Sequence, residues 1–178
     1  MLLKLYMHMK IKLLGKNLEE LKKLVADAGL PGFTAKQIAQ WLYVKKVRSI
    51  DDMTNLSKAA RASLSEKYEV GLTEYGGLQL SSDGTKKYLF PVKCAHRRGL
   101  NLSCNGKYPE NELEEGAVEA VMIPDDDRAT LCVSSQSGCR MGCKFCMTGR
   151  QGFHGHLSAA DIISQFLAVD ESDRLTNA

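Results

Sequence analysis

Cys139, Cys143 and Cys146 follow one another as C-x-x-x-C-x-x-C within the run CRMGCKFCMTGRQGF. No other feature constrains the chain as strongly. Three thiolates within eight residues can wrap one compact inorganic cluster. An iron–sulfur cube normally takes four cysteine ligands. A cube held by three keeps one iron open to a small molecule. The aromatic Phe145 stands just before the last of the three.

The remaining cysteines, Cys94, Cys104 and Cys132, bring the total to six. Paired disulfides in an exported protein are one reading of that number. Four of the six fall within fifteen residues, however, and no signal peptide is visible: Lys4, Lys10 and Lys12 interrupt the apolar N-terminus, and no small-residue cleavage site follows it. Metal or redox chemistry in the cytoplasm is the expectation. No window approaches the ~18 apolar residues of a membrane span. The chain has 178 residues, 44% of them apolar and 25% charged, as in ordinary globular domains.

The net charge of +3 conceals an asymmetry. Residues 1–70 carry 13 Lys and Arg against 7 Asp and Glu, whereas residues 71–178 carry 11 against 14. The basic half can face a polyanion, or it can simply be a solvated helical surface.

The pattern of apolar residues changes at Gly71. Before it, Asn17 can cap LEELKKLVADA, with Leu18, Leu21, Leu24 and Val25 as its stripe and Gly29 as its end. Thr34 can cap AKQIAQWLYVKK, with Ile38, Trp41 and Leu42 on one face, and Ser57 can cap KAARASLSEKY. A small helical domain over 1–70 is predicted. After Gly71, LTEYGGLQLSSDGTKKYLFPVK reads as a hairpin turning at Ser-Asp-Gly. The polar stretch 94–116 reads as a loop or insertion. Two further strands, AVEAVMIP and ATLCVSS, meet in a turn at 125–127, and the cysteine loop follows directly. Ser158 then opens a helix whose buried face is expected at Ile162, Ile163, Phe166 and Leu167. Strand, long loop and helix make the first unit of a β/α barrel. The strand that should pair in parallel with ATLCVSS is missing from this reading. The expectation is an α+β then α/β chain: a helical domain, a β-hairpin, and the start of a partial (β/α) barrel over 71–178, as the N-terminal piece of a longer protein.

The stretch RATLCVSSQSGCRMGCKFCMTGRQGFHGHLSAADIISQ resembles the RlmN/Cfr family of radical S-adenosylmethionine (SAM) RNA methyltransferases. FTAKQIAQWLYVKK is similar to that family's N-terminal domain, so the resemblance covers roughly residues 15–175. The RQGF wording leans toward RlmN. The resemblance implies a 4Fe-4S cluster on Cys139, Cys143 and Cys146, with SAM on the open iron and Phe145 at the cofactor. It implies methylation of adenine C2 in 23S rRNA and tRNA, or of C8 if the protein is Cfr-like. C2 is too electron-poor for polar methyl transfer. The family methylates one of its own cysteines, abstracts hydrogen from that methyl group, and adds the carbon radical to the base. A second cysteine resolves the adduct by forming a disulfide with the first, and loss of a proton restores aromaticity.

On this resemblance Cys132 is the resolving cysteine and Glu119 the proton acceptor. Without it, Cys132 would be read as a small buried hydrophobe and Glu119 as an edge-strand charge. Val121 and Ile123 share a strand face with Glu119 and could partly desolvate it. The methyl-carrying cysteine and the SAM-binding segments have no counterpart here, so this stretch alone is expected to be inactive. Lys36, Lys45, Lys46 and Arg48 are candidates for RNA phosphate contacts, with Trp41 in the core. An electron donor such as flavodoxin and a monomeric state are also expected. A zinc-binding RNA adaptor without catalysis is the alternative built from the same cysteines. A zinc site at Cys94, His96 and Cys104 lacks a fourth ligand, and His154 and His156 are ordinary loop histidines.

Overall fold

The computed structural model describes residues 10–95 and 113–178. Their contacts define two compact units, Met1–Gly71 and Leu72–Ala178.

In the first unit, α1 (Leu18–Asp27) begins at a reciprocal cap. Asn17 Oδ1 accepts from the Glu20 amide at 2.9 Å, and Glu20 Oε2 accepts from the Asn17 amide at 2.8 Å. Gly29, at φ 67°, ends it. Leu21 and Val25 are buried, while Leu18 is turned out to solvent. The second helix, α2 (Thr34–Tyr43), starts differently from the expectation. Thr34 is inside the helix and buried, its amide bonded to the Pro31 carbonyl at 2.9 Å. The turn through Pro31–Gly32–Phe33 launches the helix through backbone bonds, so no side-chain cap is used. Ile38, Trp41 and Leu42 face inward as predicted. A 3₁₀ turn at Ile50–Asp52 leads to α3 (Lys58–Lys67), capped by Ser57 and anchored by buried Leu64. Two short strands absent from the sequence reading, β1 (Ile11–Lys12) and β2 (Tyr68–Glu69), pair in parallel and tie the ends of the unit together. Leu13 and Leu14 continue the tie by donating to Glu69 and Val70 carbonyls at 2.9 Å each, and both side chains are buried.

The second unit is built on a four-stranded antiparallel sheet in the order β3 (Gly77–Leu80), β4 (Lys86–Ala95), β5 (Leu113–Asp125), β6 (Arg128–Cys132). Asp83 fixes the first hairpin by accepting from the Thr85 amide and hydroxyl. Asp126, at φ 45°, makes the tight turn between β5 and β6. The polar stretch read as loop over 94–116 is shorter than expected: β4 runs to Ala95 and β5 starts at Leu113, paired with each other. His96 and Cys104, and the side chain of Cys94, lie outside the described residues.

One face of the sheet is the core. Tyr88, Phe90, Val92, Val118, Ala120, Met122, Ala129 and Leu131 alternate into it. The helix α5 (Ala159–Leu167) covers this face with Ile162 and Phe166. Its start is a Ser158–Asp161 capping box. Its fully buried residues, however, are polar: Ser164 and Gln165, not the expected Ile163 and Leu167. The other sheet face carries exposed Leu89, Glu119, Ile123 and Cys132. No parallel strand neighbours β6 among the described residues, but one isolated bridge reaches it. Asn177 bridges Thr130 in parallel, the Leu131 amide donates to the Asn177 carbonyl at 3.0 Å, and the Thr176 amide donates to the Ala129 carbonyl at 2.9 Å.

Candidate active site

The cysteine loop grows out of a small ribbon that the sequence did not announce. Strands β7 (Gln136–Gly138) and β8 (Phe153–His156) pair antiparallel with a bulge at Ser137/Gly138. The Cys139 amide closes the neck on the Gly152 carbonyl at 2.8 Å. Gly138 sits at φ 70°, and a Cβ there would lie 1.8 Å from the Gly152 carbonyl oxygen, so only glycine permits this neck. Inside the loop the Cys146 amide donates to the Cys143 carbonyl at 3.1 Å, and Cys146 precedes the one-turn helix α4 (Met147–Arg150). Arg150 Nε donates to the Lys144 carbonyl at 3.0 Å, bracing the loop across its base.

Cys139, Cys143 and Cys146 all carry free, half-buried thiols. The backbone amide of Gly149, with help from Thr148, holds the Cys146 thiol below its ordinary range against a smaller opposing effect of burial. Thiolate donors of this kind suit an iron–sulfur cluster in number and chemistry. Their placement does not form one: among the described residues, no group of three or more His, Cys, Asp or Glu side chains is gathered to hold a metal ion. Met141, Phe145 and Met147 project from the loop, with Phe145 92% exposed. His154 Nε2 lies 3.0 Å from the Gln151 carbonyl, and the His156 ring packs against Phe153.

Cys132 and Glu119 lie on the open face of the sheet. The β5–β6 register pairs Val121 with Cys132, which makes Glu119 the diagonal neighbour of Cys132 on one face. Cys132 is exposed, so the reading as a buried hydrophobe does not hold. Glu119 is on an inner strand, so it is not an edge charge either. Its desolvation by Val121 and Ile123 is not found: the side chain is 55% exposed and Ile123 is itself exposed. Instead, Lys87 Nζ from β4 stands 3.1 Å from Glu119 Oε1. At this exposure the pair orients more than it stabilises.

Two neighbours of this site were missed in the sequence. Ser134 Oγ donates to the Glu119 carbonyl at 2.8 Å. Gln165, wholly buried on α5, bonds the Ser134 backbone. A glutamine inside an otherwise apolar helical stripe was the available signal.

The four basic candidates belong to the first unit. Lys36 is exposed on α2. Helix α2 stops at Tyr43, so Lys45, Lys46 and Arg48 lie in the segment after it, with Lys46 at φ 52°. Lys45 Nζ sits 3.6 Å from the centroid of the Trp41 ring, and the Trp41 indole donates to Asn55 Oδ1.

The second unit thus holds a strand bearing an exposed thiol, a carboxylate on the neighbouring strand and a three-cysteine loop that leads into a helix. The backbone resembles the crystal structure of a radical SAM methyltransferase from Sphaerobacter thermophilus, with a TM-score of 0.71 and 30% identity over 92% of this chain and 42% of that one. Residues 11–70 match the model of the ribosomal RNA large subunit methyltransferase N-terminal domain. Curated relatives extend the match to nearly the whole chain. A probable dual-specificity RNA methyltransferase RlmN of Bacteroides thetaiotaomicron is 51% identical over 94% of this chain, and one of Porphyromonas gingivalis is 46% identical over the same share. The dual-specificity RNA methyltransferase RlmN of Geotalea uraniireducens is 39% identical. Nearly the whole chain is thus similar to the corresponding part of RlmN proteins. It spans about 42% of the length of these relatives.

Proposed function

We propose that this chain contributes the N-terminal domain and the cluster-binding region of a SAM-dependent RNA methyltransferase that modifies C2 of adenine in 23S rRNA and tRNA. The observation that carries this reading is the match to RlmN proteins along 94% of the chain, which spans both the basic unit and the cysteine loop. The second unit would form the start of a partial (β/α) barrel. Cys139, Cys143 and Cys146 would hold a 4Fe-4S cluster, with Phe145 at the cofactor. When bound, that cluster supplies the electron for reductive cleavage of SAM.

The chain's own residues then have distinct tasks. Cys132, exposed on the strand that leads into the loop, offers the thiol that resolves a protein–RNA adduct by disulfide formation. Glu119, its diagonal neighbour, accepts the proton lost from the base, and Lys87 orients its carboxylate. Lys36, Lys45, Lys46 and Arg48 contact RNA phosphates, and the target adenine must leave its stack to be reached. A flavodoxin-type electron donor, a monomeric state and a cytoplasmic setting belong to the same reading. This stretch by itself would not methylate RNA.

The test is anaerobic iron–sulfide reconstitution of the full-length protein, followed by mass spectrometry of modified RNA. The reading expects iron with labile sulfide, loss of both when Cys139, Cys143 and Cys146 are changed together to Ala, retention with Cys132→Ala, and 2-methyladenosine as product. A zinc ion without labile sulfide would replace this reading with a non-catalytic adaptor, and 8-methyladenosine would replace it with a Cfr-like activity.

A further inference from the structure

Helix α5 turns a polar edge toward the interior. Gln165 and Ser164 are both 0% exposed, whereas its Ile163 and Leu167 are only partly covered. Ser164 is accounted for locally: its hydroxyl donates to the Ala160 carbonyl at 2.7 Å and accepts from the Thr73 amide at 3.0 Å. Gln165 reaches further. Its Oε1 accepts from the Ser134 amide at 2.8 Å, and its Nε2 donates to the Ser134 carbonyl at 2.9 Å, with a longer bond to the Asp161 carbonyl at 3.3 Å. One primary amide thus meets both the N–H and the C=O of a single residue, as a neighbouring strand would.

The place where this happens is specific. The β5–β6 ladder ends at the Val121–Cys132 pair, and Ser134 lies two residues beyond it. Continued in register, the ladder would set Ser134 opposite Glu119, and the Ser134 hydroxyl does reach the Glu119 carbonyl. Ser134 is therefore held from two sides just where the chain leaves Cys132 for the cysteine loop: by Gln165 from the helix and by its own hydroxyl from β5.

We propose that Gln165 is a positioning residue for the reaction, fixing through the Ser134 backbone the placement of Cys132 relative to Glu119 and to the cysteine loop. The inference rests on the roles proposed above for Cys132 and Glu119. Gln165 touches no reacting atom. Its amide takes the place of a ladder partner just past the end of the β5–β6 pairing.

The experiment uses the full-length reconstituted protein and its RNA substrate. Gln165→Met keeps the side-chain length and removes all three hydrogen bonds. Gln165→Glu keeps the acceptor and sets a carboxylate oxygen against the Ser134 carbonyl. Iron and sulfide content, KM for RNA, kcat, and the rate at which iodoacetamide labels Cys132 are measured for each. Gln165→Met is expected to keep its cluster and to hold KM within about twofold. Its kcat should fall by a factor of roughly ten to a hundred, as small misplacements near reacting groups do. Cys132 labelling should change severalfold in the same variant. A Gln165→Met protein that turns over like the wild type overturns the inference. Should that variant not fold, Gln165→Glu decides in the same way. Cys132→Ser and Glu119→Gln serve as controls. If both keep full turnover, the reading of the site falls and this inference with it; if both lose turnover while Gln165 variants do not, only the positioning role is wrong.

Discussion

Gly138 fixes the neck of the cysteine loop. Its positive φ and the closeness of Gly152 leave no space for a Cβ. A Gly138→Ala variant should lose about 1–2 kcal/mol from the left-handed backbone alone, and more from the clash with the Gly152 carbonyl. Denaturant unfolding of the chain, monitored against Gly152→Ala, checks this; the latter has open space for its Cβ and should show only the conformational penalty. None of this was legible from the sequence. The C-x-x-x-C-x-x-C spacing pointed to a loop, but nothing in it singled out Gly138. Cys132 and Glu119 are site candidates only through the family resemblance. Residue chemistry alone pointed to burial for Cys132, and the structure exposes it.

At the level of elements, local signals read well and non-local ones did not. Asn17, Ser57 and Ser158 cap their helices as their side chains predict. Thr34 does not, because backbone bonds from the preceding turn already satisfy the helix start. The β1–β2 pair joins residues almost sixty positions apart, and no short window could reveal it. On α5 the expected Ile162 and Phe166 do pack on the core, but Gln165 was overlooked because counting apolar side chains cannot register a buried amide that is hydrogen-bonded.

The segment after α5 locks back onto the sheet through charge. Lys86 Nζ lies 2.5 Å from Glu171 Oε1, and the buried Tyr88 hydroxyl donates to Glu171 Oε2 at 2.6 Å. Burial pushes the Glu171 carboxyl up, but the bonds from Lys86 and Tyr88 and the Lys86 charge outweigh it and hold the carboxyl below its ordinary value of 4.5. A carboxyl depressed on folding stabilises fully above that ordinary value and loses its contribution as pH falls through the depressed one. Unfolding midpoints should therefore drop below about pH 4.5. Glu171→Gln should be less stable at neutral pH and show a flatter acid limb.

For the whole molecule, the split in charge near residue 70 and the division at Gly71 coincide. Under the proposed function, RNA affinity should fall with salt. Each phosphate that is no longer neutralised should reduce the slope of log K against log salt by about 0.7–0.9. Lys36→Ala and Lys45→Ala, titrated with substrate RNA across a salt series, should each lower that slope by about this amount. A slope unchanged in both variants would remove these lysines from the RNA-facing surface.

The parallel bonds from Thr176 and Asn177 to β6 have a kinetic consequence. The two hairpins of the sheet can zip from their turns, but these bonds must wait until the intervening loop and helix have been drawn in. By that order they are expected to form on the native side of the folding barrier. Thr176 Oγ1 both accepts from the Ala129 amide and donates to the Ala129 carbonyl. Thr176→Val should consequently speed unfolding while leaving the refolding rate nearly untouched in stopped-flow experiments. The seam that closes last would thus be the first to part.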